Sequence, residues 1–338
     1  MTLHFITSLH NGGTQNFLFR LLKSKLKDRK HIIIYLVDGV TKKQFQELKN
    51  VEIVLPFFSS IFQGYIFKSF NECHYWLYHT YIFRLFFRAK KNIAHIRGSA
   101  TPKNNFFSFP NAFMFKISKI ILNRLDFNLI ISNSNCAINT YRSYGFSLKD
   151  AKVMYNGFMI EKTFSYVSIK NKPNIIHITR NDPAKNNKRF QKLILELDYK
   201  FSFNVNVIGE GMQDFYKNHP ISINNTINIS NTISFNELYK VYKKADLVII
   251  TSLNEGLPNV LLESLTYGIP IISSDAGDCL DVLSRNPCYI SEINNIDDVN
   301  FNIFKTLNTL KDKSYSSDWS RGCKESIMYV ESKSKLLF

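Results

Sequence analysis

The stretch DLVIITSLNEGLPNVLLES, residues 246–264, passes from a buried strand through a polar loop into a helix. Asp246–Ile250 is a short apolar, β-branched run, the pattern of a strand covered on both faces, and a strand feeding straight into a helix belongs to a parallel sheet. Pro258 suits the first turn of that helix, where its missing N–H would be unpaired anyway. The N–H groups of Gly256 and Leu257 then lie at a helix N-terminus, where a phosphate can bind. Glu255 falls in the loop beside Asn254, and Glu263, one to two turns into the helix, can accept hydrogen bonds from a vicinal diol. A loop carboxylate, a phosphate-binding turn and a helical carboxylate are the parts of a nucleotide-sugar socket. Two solvated or capping glutamates are the competing reading.

Similar apolar runs recur on either side. Leu3–Ser8, His31–Val37, Val51–Pro56, Ile93–Ile96 and Phe127–Ser132 form one series; Asn174–Thr179, Asn204–Ile208, Asp246–Ile250 and Ile269–Ser273 form another. Helical patterns separate them, which predicts parallel sheets with helices on both faces. The polar stretch Ser165–Pro173 divides the two series and reads as a linker. The expected domains are residues 1–165, residues 166–317 and a final amphipathic helix over 318–338 that packs back toward the first domain. Ser234 and Glu237 form a capping box for the helix that precedes the strand at 246–250.

A chain of 338 residues, 45% of them hydrophobic, has apolar material for two cores. No leader with a cleavage site and no apolar run of about 18 residues appears, so a cytoplasmic location is expected, with peripheral attachment to the inner face of the membrane as an option. Five cysteines, odd in number and without metal-ligand spacing, predict free thiols and no metal. The net charge of +16 is uneven: residues 1–165 carry 23 Lys and Arg against 8 Asp and Glu, the remainder 20 against 19. A basic first half suggests an anionic partner there, either a phospholipid surface, a pyrophosphate-linked acceptor or nucleic acid; a merely solvated face is the alternative. Neither zinc-finger spacing nor the aromatic signature of an RNA-recognition domain is present, which argues against nucleic acid.

With its surroundings, NEGLPNVLLESLTYGIPIISSD over 254–275 resembles the GT-B glycosyltransferases of the large retaining family usually called family four, whose C-terminal domain carries a Glu-x7-Glu motif in this strand, loop and helix setting. The resemblance implies an α/β fold of two Rossmann-like doubly wound domains facing across a cleft. It implies that Glu255 contacts the transferred sugar and Glu263 the ribose. It extends to IIHITRNDPAK over 175–185, where the matching Arg180 and Lys185 neutralise the diphosphate leaving group without a metal or other cofactor. The sequence departs just afterwards, where Asn186 stands in place of a common glycine. VIGEGM over 207–212 matches the strand and glycine turn where the family places the base, with Gly209 and Gly211 in the turn. Asp278 and Asp281 replace a usual glycine and glutamate, and neither is assigned to the site.

In the first half, ITSLHNGGTQNF over 6–17 resembles the family's opening strand, glycine loop and helix, and Gly12 and Gly13 would admit a phosphate or the acceptor. It is neither a Walker loop nor a dinucleotide turn. His95 and Arg97 lie at another strand end; Arg97 is read as an acceptor or phosphate ligand and His95 equally as a core residue. Ser132–Ser134 and Tyr155–Gly157 also resemble family positions. Phe57–Lys91 mixes aromatics and cations, ending YIFRLFFRAKK, a pattern that suits an anionic membrane surface or a buried helix with a basic rim. Together these readings predict a retaining transferase moving a hexosyl group from a nucleoside diphosphate sugar, UDP being the expected nucleotide, to a glycan or lipid-linked glycan, as in bacterial surface-polysaccharide assembly. An epimerase of the same fold or a basic nucleic-acid-binding protein are the alternatives.

Overall fold

The computed structural model describes residues 1–10, 12–24, 26–54, 64–65, 68–98, 109–156, 172–231, 235–284 and 313–334. The chain divides into two compact units, Met1–Met159 with Lys333–Phe338, and Ile160–Ser332.

The first unit contains β1 (Thr2–Ser8), α1 (Gly13–Lys23), β2 (His31–Val37), α2 (Lys42–Gln46), β3 (Val51–Val54), β4 (Ser69–Trp76), a 3₁₀ segment (Tyr78–Leu85), β5 (Arg88–Ile96), α3 (Phe109–Arg124), β6 (Leu129–Ser132), α4 (Asn135–Ser143) and β7 (Lys152–Val153). Its seven strands are parallel in the order β3-β2-β1-β4-β5-β6-β7. The order reverses between β1 and β4, the position where a doubly wound sheet opens a crevice at its carboxyl edge. One core layer joins Phe5, Tyr75, Phe83 and Phe87, and the other joins Phe17, Leu21, Ile33 and Trp76.

The second unit contains β8 (Asn174–Ile178), α5 (Asn187–Asp198), β9 (Asn204–Ile208), α6 (Met212–Asn218), β10 (Thr226–Ser230), α7 (Phe235–Lys244), β11 (Leu247–Ile250), α8 (Asn259–Thr266), β12 (Ile271–Ser273), α9 (Cys279–Leu283) and, as far as Ser332, α10 (Lys313–Ser334). The parallel order is β10-β9-β8-β11-β12, so the reversal falls between β8 and β11. In α10, Trp319 Nε1 donates to Gly268 O at 2.7 Å, Ser326 Oγ to Val282 O at 3.0 Å and the Tyr329 hydroxyl to Asp281 Oδ2 at 2.7 Å. Asp281 is thus engaged by the helix.

Two local expectations shift. Pro258 is the N-cap of α8, in extended backbone at φ −68° and ψ 135°, and the helix starts at Asn259; proline's φ suits both conformations, and only ψ separates them. The aromatic and basic stretch at 81–91 is no amphipathic helix. It is the end of the 3₁₀ segment and the start of β5, with the Tyr81, Phe83 and Phe87 rings in the core and only Leu85 and Phe86 exposed among its apolar residues, at 57% and 43%. Ser234, Gly157 and the linker at 165–171 lie outside the described residues. No helix among the described residues is long and apolar enough to cross a membrane.

Candidate functional site

Arg180, Lys185 and Glu255 all leave the carboxyl ends of β8 and β11, the two strands at the reversal. After β8 the chain turns at Asp182, whose Oδ1 accepts from Ala184 N at 2.9 Å and caps the 3₁₀ turn Pro183–Lys185. The Arg180 guanidinium donates through Nε and Nη2 to Asp182 Oδ2, at 2.9 and 2.6 Å. Burial opposes ionisation of Asp182, but the Ala184 N–H and Arg180 outweigh it and hold the carboxyl below its usual range.

Asn186 follows at φ 52°, ψ 48°, in the left-handed region. Glycine occupies that region freely and asparagine is the side chain that visits it most readily, so the departure at this position conserves the backbone bend. The bend directs the chain into α5, where Asn187 Nδ2 donates to Arg180 O at 2.9 Å and its Oδ1 accepts from Thr179 Oγ1 at 2.9 Å.

The two loops are joined directly. Leu253 N donates to Ala184 O at 2.7 Å and Thr251 Oγ1 to Lys185 O at 3.0 Å. These bonds bring Lys185 Nζ onto Glu255 Oε1, which also accepts from Ser252 Oγ at 2.8 Å. Glu263, in the second turn of α8, accepts from the Tyr242 hydroxyl at 2.7 Å. Asn254, Gly256 and Leu257 lie in the turn ahead of α8, and Asp278 N donates to Gly256 O at 2.8 Å. That contact needs Gly277, at φ 69°, because a Cβ there would stand 2.0 Å from Gly256 O.

Gly209 and Gly211 form the turn after β9. At Gly209, φ is 153° and a Cβ would meet Thr179 O at 1.6 Å, so glycine lets this turn lie against the strand end that carries Arg180. Gly211, at φ 72°, is the N-cap of α6.

The first unit places its candidates around the ends of β1, β4 and β5. Gly12 is the N-cap of α1, and a Cβ on it would meet Gln15 Oε1 at 2.7 Å; Gly13 is the first helical residue. His95 is fully buried beneath the strand ends, stacked on Trp76 with ring centroids 3.7 Å apart, and its Nε2 is 2.9 Å from His74 Nδ1. Arg97 is buried too. Its Nη1 donates to Asn156 Oδ1 at 2.7 Å, and its Cζ lies 4.1 Å from the centroid of Phe17 and 4.9 Å from that of Trp76. Nearby, Asn133 Oδ1 accepts from Gly98 N at 3.1 Å and Ser134 caps α4 through Ala137 N at 3.0 Å, so the family-like asparagines and serines organise the ends of β5, β6 and β7.

Sequence reading missed a ribbon of buried polar rings across β2, β1, β4 and β5. Trp76 Nε1 donates to His4 Nδ1 at 3.2 Å, His4 Nε2 is 3.0 Å from His31 Nδ1, and His31 Nε2 is 3.0 Å from Leu26 O. An indole N–H only donates and a carbonyl only accepts, so His4 and His31 are neutral rings each protonated on Nε2. Burial holds the imidazoles of His4, His31, His74 and His95 below their usual pKa. His74 Nε2 is 3.5 Å from Glu72 Oε2, and that contact draws the glutamate down to about 2. The signal available in the sequence was a single histidine in each of these four strands. Among the described residues, no cluster of three His, Cys, Asp or Glu side chains has the form of a metal site.

Residues 159–317 match the family model described as glycosyl transferases group 1. Over 182 residues the chain is 25% identical to the N-acetylgalactosamine-N,N'-diacetylbacillosaminyl-diphospho-undecaprenol 4-alpha-N-acetylgalactosaminyltransferase of Campylobacter jejuni, across 51% of this chain and 47% of that protein. The match thus spans about half the length of this curated relative. Among solved structures, Anabaena HepE in complex with UDP-glucose is similar with a TM-score of 0.76 at 16% identity, over 98% of this chain and 95% of that one. WaaG, a glycosyltransferase involved in lipopolysaccharide biosynthesis, is similar with a TM-score of 0.74 at 10% identity, over 99% and 100%.

Proposed function

We propose that the chain is a glycosyltransferase of GT-B fold that transfers a sugar from a nucleoside diphosphate, UDP being the expected nucleotide, to a hydroxyl of a glycan or lipid-linked glycan with retention of configuration; the match of residues 159–317 to glycosyl transferases group 1 and the likeness of the fold to HepE and WaaG support this reading. The observation that carries this reading is the contact of Lys185 with Glu255 at the β8–β11 reversal, with Arg180 on the same loop as Lys185 and the two loops tied together by hydrogen bonds.

The chemistry follows from the charges. Cleavage of the bond between the anomeric carbon and the diphosphate oxygen leaves negative charge on the diphosphate, and Arg180 and Lys185 supply two fixed cations for it. The Lys185–Glu255 pair keeps both groups satisfied until the diphosphate and the sugar hydroxyls compete for them. Glu255 then receives sugar hydroxyls while Ser252 holds its carboxylate in place. Glu263 accepts from the ribose, oriented by Tyr242. The Gly209–Gly211 turn receives the base. The acceptor oxygen bonds to the anomeric carbon on the face the diphosphate leaves, and the hydroxyl proton passes to a diphosphate oxygen. In this reading no metal takes part, and Gly12, Gly13 and Arg97 belong to the acceptor or phosphate side, with His95 supporting them from below.

Two likenesses support an acceptor in surface-polysaccharide assembly: the Campylobacter relative is named for a diphospho-undecaprenol-linked acceptor, and WaaG for a role in lipopolysaccharide biosynthesis. The basic first half suits an anionic membrane surface on the cytoplasmic side. Replacing Arg84, Arg88, Lys90 and Lys91 together with glutamine is expected to release the protein from anionic vesicles; unchanged sedimentation with them would end that part of the proposal.

The donor reading is tested by calorimetry with UDP-, GDP- and ADP-sugars and the free diphosphates. One nucleotide series is expected to bind, and an Arg180→Ala, Glu263→Ala double variant that still folds is expected to lose at least tenfold in affinity. Binding of none of them to the unaltered chain would remove the transferase reading and leave the fold.

A further inference from the structure

Arg97 is a guanidinium with more donors than partners. It is 8% exposed. Of its N–H groups, those on Nη1 reach Asn156 Oδ1, whereas Nε and Nη2 are buried without a hydrogen-bond partner. Among the described residues no carboxylate pairs with it. A buried cation without a counter-charge is costly, and removal from water alone draws this arginine down to about 9.

Its surroundings hold it rather than neutralise it. The guanidinium lies against two neighbouring rings, Phe17 from α1 and Trp76 from β4, which pack tilted against each other beside it. Trp76 is itself fixed, by its indole bond to His4 and by His95 stacked on its ring. The rings of His4 and His31 are neutral by their hydrogen bonding, so this ribbon supplies rigidity without adding positive charge. Asn156 and the Gly98–Asn133 bond fix the ends of the neighbouring strands. A guanidinium needed only for packing would have its fork satisfied from within the protein, because an unpaired buried donor is costly. Here the fork is buried and unpaired, at the carboxyl ends of strands where a doubly wound unit receives its ligand, and Nε with Nη2 is the edge that grips two oxygens of one group.

We propose that Arg97 is the receptor for an oxyanion of the acceptor, a phosphate or a carboxylate presenting two oxygens to Nε and Nη2. The inference rests on the reading of the first unit as the acceptor side. It adds that the acceptor is anionic where it meets β5, and that Trp76 is the platform setting the height of the fork.

Trp76 also supplies the readout, because the chain has two tryptophans and Trp319 belongs to the second unit. In a Trp319→Phe background, Trp76 emission is titrated with inorganic pyrophosphate, inorganic phosphate and glucuronate. A saturable change is expected, at least tenfold weaker in Arg97→Gln, weakened less in Arg97→Lys, and retained in Arg180→Ala, which removes a cation from the second unit. A response to pyrophosphate or phosphate alone identifies a phosphate-bearing acceptor; a response to glucuronate alone identifies an acidic sugar. No saturable change with any of the three overturns the proposal, as does one of equal affinity in Arg97→Gln, or in Arg97→Lys should the glutamine variant not fold. UDP-glucose binding to the same preparations keeps the two readings separate. Its loss with the Trp76 response intact would sink the donor site alone.

Discussion

Asn186 and Gly209 are the residues on which the loops after β8 and β9 turn. At φ 52° Asn186 adopts a conformation that glycine would take without cost and a β-branched residue would resist. Asn186→Gly is therefore expected to keep stability within about 1 kcal/mol, whereas Asn186→Val loses about 1–2 kcal/mol or more, read from urea unfolding midpoints. Gly209→Ala would press a methyl group into Thr179 O, backbone against backbone, and the strand end must move. Loss of nucleotide binding out of proportion to loss of stability is expected, because the displaced segment carries Arg180. The turns at Gly209 and Gly211, and the positions of Glu255 in a loop and Glu263 in a helix, were legible from local pattern. The Lys185–Glu255 pair was not legible as a contact: its members are distant in sequence, and only the adjacency of β8 and β11 brings them together.

At the scale of elements, most strands could be read because they are β-branched and apolar, as buried parallel strands must be. β4 escaped. Its sequence SFNECHYW mixes polar and aromatic residues, and its buried histidine finds His4 in β1 and His95 in β5, which local pattern cannot reveal. β10, TINIS, has exposed residues at alternate positions and is an edge of its sheet, so its signal is short and half polar. For the 81–91 stretch, the reading as a buried helix with a basic rim gives way to the end of the 3₁₀ segment and the start of β5, which place the Tyr81, Phe83 and Phe87 rings in the core. The final helix was legible, and its energetic weight lies in Trp319, which is buried and hydrogen-bonded to Gly268 O. Trp319→Ala is expected to destabilise by about 3–5 kcal/mol, measured as a lower urea midpoint with an unchanged slope.

For the whole molecule, buried histidines tie stability to acidity. Burial lowers the pKa of His4, His31, His74 and His95, and holds His177 down to about 4, against an ordinary value of 6.5. The folded state therefore binds fewer protons than the unfolded one below pH 6.5. Stability is complete above that value and is lost as the pH falls toward the folded pKa, by about 2 kcal/mol for His177 alone at pH 5. Urea midpoints measured from pH 7.5 to 5 should fall steadily, with a shallower fall in a His177→Gln variant.

The sheet order of the first unit carries a kinetic cost. β1 lies inside that sheet, and although His31 arrives soon after Thr2 to pair with it, the opposite side of the strand waits for Glu72. Pairings so far apart in sequence close slowly. Until β4 docks, β1 presents an open row of amide and carbonyl groups, which is a template for another copy of the chain. Refolding yield should consequently drop with protein concentration under conditions where the finished fold is still stable, a failure of assembly order rather than of strength.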